Sequence, residues 1–287
     1  MNVAPVTVAQ ALVAATRRLG QSSDTARLDA EVLLAHALGV TRSEMILRHM
    51  QDAVPDGYDR LIERRLTHEP VAYITGHQEF WGLDFIVTPD VLIPRGDTET
   101  LIAVAIERLR PPLRILDLGT GSGALLLAAL SQWPGATGVG IERSHGALAI
   151  ARRNADALGL STRAEMIAGD WTQAHWASAL GRFDLVLANP PYVETGASLD
   201  ASVLAHEPHA ALFAGAQGLD DYHVIVPALR DLLARDGTAL VEIGWTQGEA
   251  VMALARAAGM AARVHCDLAQ RPRVVEIGGD NDKIRPI

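Results

Sequence analysis

The stretch RILDLGTGSGALLLAALSQW, residues 114–133, decides how the rest of the chain is read. Arg114 to Leu118 is a short apolar run, Gly119-Thr120-Gly121-Ser122-Gly123 is a glycine turn, and the remainder is apolar on nearly every face. A buried strand, a tight turn and a buried helix are therefore expected. Glycines let the backbone approach a ligand closely, and the helix N-terminus offers N–H groups that have no partner within the helix. The arrangement is a cradle for a nucleotide cofactor. GTGSGA also satisfies the GxGxxG/A pattern of dinucleotide sites, so this stretch alone leaves the two kinds of ligand open.

The strands that follow narrow the choice. TGVGI ends in Glu142, an acid placed to chelate ribose hydroxyls, and AEMIAG ends in Asp170-Trp171. An acid that accepts from an adenine amino group, beside a ring that packs on the base, fits an adenosyl ligand lying across successive strand ends. The next strand, FDLVLA (183–188), runs into Asn189-Pro190-Pro191-Tyr192. Two prolines fix φ and remove two backbone donors, which leaves a stiff turn with carbonyls free to accept. Such a turn suits an NH2 group: the side-chain oxygen of Asn189 and the carbonyl of Pro190 each accept one N–H, and Tyr192 packs on the plane. With an electrophilic methyl carbon in line, this is the geometry of methyl transfer to nitrogen. Parallel strands present their carboxyl ends on one edge, so cradle and acceptor turn face one cleft.

The chain has 287 residues, 49% of them hydrophobic, enough for a full α/β domain and a smaller one. A formal net charge of −9 argues against a broad grip on a nucleic-acid backbone, which needs clustered Lys and Arg. The single cysteine, Cys266, has no internal disulfide partner and is expected to be a small buried apolar residue. With no apolar run long enough for a membrane span and no secretory signal, a cytoplasmic enzyme is expected.

Residues 7–70 carry apolar residues at three- and four-residue spacing in four segments, which predicts a small helical bundle. Gly20 and Gly39 are expected past helix ends; Ser23 or Asp24, Thr41 and Asp56 are expected N-caps. HQEFWG and LDFIVT, followed by VLIP, read as a bent hairpin, after which Asp97 or Thr98 caps a helix. Arg95 is equally compatible with the surface and with the site. Residues 194–219, after the acceptor turn, read mostly as a loop long enough to face a substrate. His206 and His209 flank Glu207-Pro208, which breaks the helical spacing of paired ligands, so no metal is expected. Past a helix from Tyr222 to Ala234 and a strand at TALVEIG, the closing strands AARVHC and RVVEIG need only a short connection, so one of them runs antiparallel.

DLGTGSG, Glu142, GDW (169–171) and FDLVLANPPY resemble the class I S-adenosylmethionine-dependent methyltransferases. The stretches PVAYITGHQEFWGLDFIVTPDVLIPR, HEPHAALFAGAQGLDDY, VEIGWTQGEAV and DLAQRPRVVEI resemble, more narrowly, the release-factor glutamine methyltransferase family (PrmC/HemK). The resemblance implies S-adenosylmethionine as cofactor and class I peptide chain release factors as partner, methylated on the side-chain amide nitrogen of the glutamine in their Gly-Gly-Gln loop. It implies cofactor contacts from Gly119 to Gly123, Glu142, Trp171 and Asn189, and a grip on the glutamine amide by Asn189, Pro190, Pro191 and Tyr192. One departure stands out: Gly96 follows Arg95 where the family usually reads Pro-Arg-Pro. The expected architecture is a helical bundle for substrate docking (1–75), a hairpin connector (76–95), and a doubly wound, mainly parallel Rossmann-like domain (96–280) with a short tail (281–287). Two other readings are compatible with the same motifs: an amino-methyltransferase acting on adenine in DNA or RNA, and a cofactor-binding module without turnover.

Overall fold

The computed structural model describes residues 6–278, so the expected tail, 281–287, lies outside the described residues. The chain forms two compact units, one of residues up to His77 together with Leu199–Glu207, the other of Gln78–Ser198 and the residues from Pro208 onward.

The first unit is helical. It contains α1 (Val8–Leu19), α2 (Ala26–Leu38), α3 (Arg42–Glu44) continuing into a π-helical turn over Met45–His49, α4 (Tyr58–Leu66) and α5 (Val71–Thr75). Val8, Leu12, Ala15 and Leu19 lie one above another on α1 and are buried against Leu33 and Leu34 of α2, Met45, Tyr58 and Ile62. Thr41 caps as expected, accepting from the Glu44 N–H, and Gly39 takes the left-handed conformation that ends α2. Other caps differ from expectation. The hydroxyls of Ser23 and Thr25 donate to the buried Asp29, which also pairs with Arg65 at 2.8 Å, and Gly57, not Asp56, precedes α4. A buried carboxylate needs these donors more than the helix end does. Gly20 follows the end of α1 as expected but in the right-handed conformation, and α5 lies within the expected bundle, beyond the four segments read as helices.

The second unit begins within the hairpin of β1 (His77–Phe80) and β2 (Leu83–Ile86), which is closed by Trp81 and Gly82, both at positive φ. Then follow α6 (Glu99–Arg108), β3 (Arg114–Leu118), α7 (Ala124–Gln132), β4 (Thr137–Glu142), α8 (His145–Ala157), β5 (Ala164–Ala168) and β6 (Phe183–Ala188). The short α9 (Ala201–His206) lies in the segment that returns to the helical unit. The chain ends with α10 (Asp220–Leu232), β7 (Leu233–Glu242), α11 (Gly248–Ala257), β8 (Ala261–Cys266) and β9 (Pro272–Gly278). The seven long strands form one sheet in the order β5-β4-β3-β6-β7-β9-β8. β9 is inserted between β7 and β8 and runs antiparallel to both, which identifies the expected antiparallel member.

Alternation along the central strands feeds two cores. Ile115, Leu185, Leu187 and Leu240 join Leu101, Ile102 and the apolar α7 on one face, together with Phe80 and Phe85 of the hairpin. Leu116, Leu118, Val186 and Val241 pack on the other face against Tyr222, Ile225 and Leu229 of α10. Both faces are covered, which is why these strands read as unbroken apolar runs. Cys266 corrects an expectation: it ends the edge strand β8 and is exposed. No described helix is long and apolar enough to cross a membrane.

Candidate active site

The carboxyl ends of β3, β4 and β6 point to one edge, and the loops that leave them enclose a cavity. At the end of β3 the backbone turns sharply: Gly119, Gly121 and Gly123 have φ of 72°, 55° and 85°, a region L side chains rarely adopt. The turn is tied down by Gly119 and Thr120 N–H donors to the Ile141 carbonyl, both at 2.9 Å. A Cβ on Gly119 would stand 2.9 Å from the Trp171 ring, so glycine is what lets the ring close over the turn. Trp171 is held by its own donor, Nε1 to Asp221 at 2.6 Å.

Glu142 caps β4 with both oxygens engaged: Oε2 accepts from the Gly121 N–H at 3.0 Å and Oε1 from the Ser144 N–H at 2.8 Å. Each oxygen keeps a second lone pair for a ligand hydroxyl. Asp117, beneath the glycine turn, is 1% exposed; its Oδ2 accepts from the Thr120 hydroxyl at 2.6 Å while Oδ1 is buried without a hydrogen bond. Burial pushes the Asp117 carboxyl up to about 7, and the Thr120 bond offsets this only in part. An orphaned buried acceptor in the cavity wall is a place for a donor group of a ligand. A nucleoside carrying an amino-acid chain fits these residues: Glu142 for its hydroxyls, the Gly119–Gly123 backbone for its close approach, and Asp117 for its ammonium.

The structure brings Gly119, Thr120, Gly121, Ser122, Glu142, Trp171, Asn189 and Pro191 together on the cavity wall. Asp170, Gly123, Pro190 and Tyr192 are not part of that wall. Asp170 uses Oδ1 to accept from the N–H and hydroxyl of Thr172 in a local turn, which holds its carboxyl below the usual range. Asn189 donates through Nδ2 to the Thr98 hydroxyl at 3.1 Å, and no described residue donates to its Oδ1 or to the Pro190 carbonyl. Tyr192, expected on the face of the substrate plane, donates its hydroxyl to Glu242 Oε1 at 3.1 Å, and Gln247 Nε2 holds its carbonyl at 3.0 Å. His209 sits edge-on to Phe213, and the His206 ring nitrogen lies 3.1 Å from the Thr67 carbonyl.

The cavity wall has further contributors that the sequence reading left open or did not assign. The segment from Asp90 to Arg95, read as connector, walls the cavity, and so do Pro208 and Ala210. Thr98 stands at the N-cap of α6, as expected, but its side chain makes no cap bond: it serves Asn189, and Asp97 pairs with Arg273 at 2.9 Å. Asp117 was legible as an acid in the middle of an otherwise apolar strand, a residue that needs a reason to be buried.

Family comparison agrees with this geometry. Residues 10–76 match the PrmC N-terminal domain, and residues 109–215 match a methyltransferase domain. A release factor glutamine methyltransferase of Caulobacter vibrioides is 39% identical over 279 residues, covering 94% of this chain and 96% of that protein. A protein of the same name from Moorella thermoacetica is 42% identical over 263 residues, covering 88% and 91%. In fold, the chain is similar to a methyltransferase from Pyrococcus furiosus, with a TM-score of 0.53 at 14% identity over 69% of this chain and 89% of the other. A mainly parallel seven-stranded sheet, a cradle and an acceptor turn on its carboxyl edge, and relatives of this similarity over nearly the whole length lead to one assignment: the chain belongs to the release factor glutamine methyltransferase family.

Proposed function

We propose that this protein transfers a methyl group from S-adenosylmethionine to the side-chain amide nitrogen (N5) of the glutamine in the Gly-Gly-Gln loop of class I peptide chain release factors. The observation that carries this reading is the polarity of Asn189. Its NH2 end is held by Thr98, so its oxygen is the end left to meet a ligand, beside a proline carbonyl that no described residue donates to. Two acceptors set by a rigid turn match the two N–H donors of a primary amide.

S-adenosylmethionine, when bound, supplies an electrophilic methyl group. Gly119 to Gly123, Glu142, Trp171 and Asp117 are the residues that would hold it. An amide nitrogen is a poor nucleophile because its lone pair is delocalised into the carbonyl. Asn189 Oδ1 and the Pro190 carbonyl, by accepting both N–H groups, aim the nitrogen and stabilise the positive charge that grows on it as the bond forms. That stabilisation is larger in the transition state than in the ground state, so no strong base is required before transfer. The extra proton leaves afterwards, with no dedicated acid or base required.

Charged groups described in the helical unit, such as Asp29 with Arg65 and Glu31 with Arg42, are paired with one another; its role in this reading is to dock the protein substrate. Leu47, 81% exposed on the π-helical turn, is a large apolar side chain suited to that contact. The net charge of −9 favours a protein partner over a nucleic-acid backbone, and the cytoplasm is where that partner is made.

Purified protein incubated with methyl-labelled S-adenosylmethionine tests the reading, using a release factor with glutamine in its loop and one with alanine there. Label on the first and none on the second is expected. Equal label on both would place the acceptor elsewhere.

A further inference from the structure

The acceptor turn has a neighbour on the same edge of the sheet, and the chemistry above leaves it unused. β7 lies beside β6 and parallel to it, with Ala188 opposite Val241, so the residues that follow Glu242 emerge next to Asn189-Pro190-Pro191-Tyr192. They form a tight turn over Gly244–Gln247. The Gln247 N–H donates to the Gly244 carbonyl at 2.8 Å, and the Gly244 N–H donates to Gln247 Oε1 at 2.9 Å. Both ends of this turn are fixed to Tyr192. Gln247 Nε2 donates to the Tyr192 carbonyl at 3.0 Å and to the Gly218 carbonyl at 3.1 Å, and Gly244 packs beside the Tyr192 ring, where a Cβ would lie 3.6 Å from Cδ2.

Gln247 is 8% exposed, whereas Trp245, one of the two residues at the tip, is 63% exposed. Among the described residues, every other Phe, Tyr and Trp is buried or half-buried. The turn itself does not need an indole, because its bonds come from the backbone and from Gln247. A large rigid ring left in water at one fixed place, a few residues from the acceptor turn, is a surface for a partner.

We propose that Trp245 is a specificity-determining contact for the peptide substrate, its ring a flat platform for the two glycines that precede the target glutamine. This rests on the functional reading above. A glutamine whose amide is held by Asn189 and Pro190 keeps its own backbone outside the acceptor turn, on the side where the Gly244–Gln247 turn stands. A peptide plane flanked by glycines has no Cβ to hold it away, so it can lie directly on an aromatic face. Tryptophan supplies that area at little cost in side-chain freedom. A side chain at either glycine position would lift the backbone off the ring. The platform therefore reads the absence of side chains before the glutamine, which the acceptor turn, gripping the amide alone, does not read.

The test uses the full chain and two short peptides, one with Gly-Gly-Gln and one with Ala-Ala-Gln. Affinities are measured with S-adenosylhomocysteine bound, so that nothing turns over. Trp245→Ala is expected to weaken the Gly-Gly-Gln peptide roughly tenfold, the scale of an interface aromatic that matters, and the Ala-Ala-Gln peptide far less. The preference of the native protein for glycine over alanine then shrinks by about that factor, a change in a ratio that general loosening would not produce. Trp245→Phe keeps a flat ring and restores most of the preference. In turnover, KM for the Gly-Gly-Gln peptide rises while kcat holds, the pattern of uniform binding. Affinity for S-adenosylhomocysteine stays native, since Trp245 is not on the cavity wall. Should Trp245→Ala fail to fold, Trp245→Leu, apolar but not flat, is compared with Trp245→Phe on the same ratio. A ratio equal to native in the variant without a flat ring overturns the inference. So does an adenine-containing single strand that competes with peptide on the native protein and not on Trp245→Ala, because the ring would then be a platform for bases. A native protein that methylates no glutamine acceptor overturns the functional reading itself, whereas one that methylates the peptide with an unchanged ratio in the variant overturns this inference alone.

Discussion

Asn189 has one hydrogen bond and one exposed task. The side chain is oriented by Thr98 and presents an oxygen to the cavity, so removing it should cost rate more than binding. We expect Asn189→Ala to lower single-turnover transfer by roughly 10²–10³, the range for loss of one preorganised hydrogen-bonding group. Cofactor affinity should fall little. A native rate with only a raised KM would make the turn a clamp for uniform binding. Glu142 is the complementary case, since both its oxygens already serve the backbone. Glu142→Ala is expected to weaken S-adenosylmethionine binding by about 1.5–3 kcal/mol, the value of hydrogen bonds to a charged group, read by calorimetry. Unchanged affinity would remove Glu142 from the ligand. Both residues were legible in sequence because each follows a strand whose apolar run announces it. Thr98 and Glu242 were not. Thr98 bonds a residue 91 positions away and Glu242 one 50 positions away, and no local pattern records such pairs.

At the scale of elements, the strands and the glycine turn were readable because their signals are local: a short unbroken apolar run followed by glycines. The segment from Asp90 to Arg95, which lines the cavity, was not, because an irregular stretch has no period to read. The hairpin before it is fastened by Asn154, whose side chain bonds the N–H and the carbonyl of Ile86 at 2.8 and 3.0 Å. Cys266 misled for a related reason: apolar character predicts burial only where a neighbour covers the strand, and β8 lies at the sheet edge. Gly96 bears a prediction of its own. Arg95 before it is extended, at φ −108° and ψ 144°, the region required before proline, and a Cβ on Gly96 would meet nothing within 4 Å. Gly96→Pro should raise stability by about 0.4–1 kcal/mol by narrowing the unfolded ensemble, seen as a higher melting temperature. A lower one would show that the glycine N–H or its freedom is needed.

At the scale of the molecule, the residues that line the candidate cavity all belong to the α/β unit, and no described residue of the helical unit lines it. If the helical unit docks protein substrate, a charge on its most exposed apolar side chain should act on the large substrate alone. Leu47→Glu is expected to raise KM for intact release factor several-fold, roughly 1 kcal/mol or more, the threshold of an interface residue that matters, and to leave a Gly-Gly-Gln peptide unaffected. Equal effects on both would assign Leu47 to folding. The division also bears on the choice of acceptor, because an exocyclic adenine amino group offers the same plane and two donors that a glutamine amide does. A single competition settles that choice: labelled S-adenosylmethionine is given to the full chain together with equal amounts of intact release factor and adenine-containing single-stranded nucleic acid, and the methyl is located by fragment mass spectrometry. The account predicts one methyl on the side chain of the Gly-Gly-Gln glutamine and none on nucleic acid; methyl on adenine with the glutamine unmodified would contradict it.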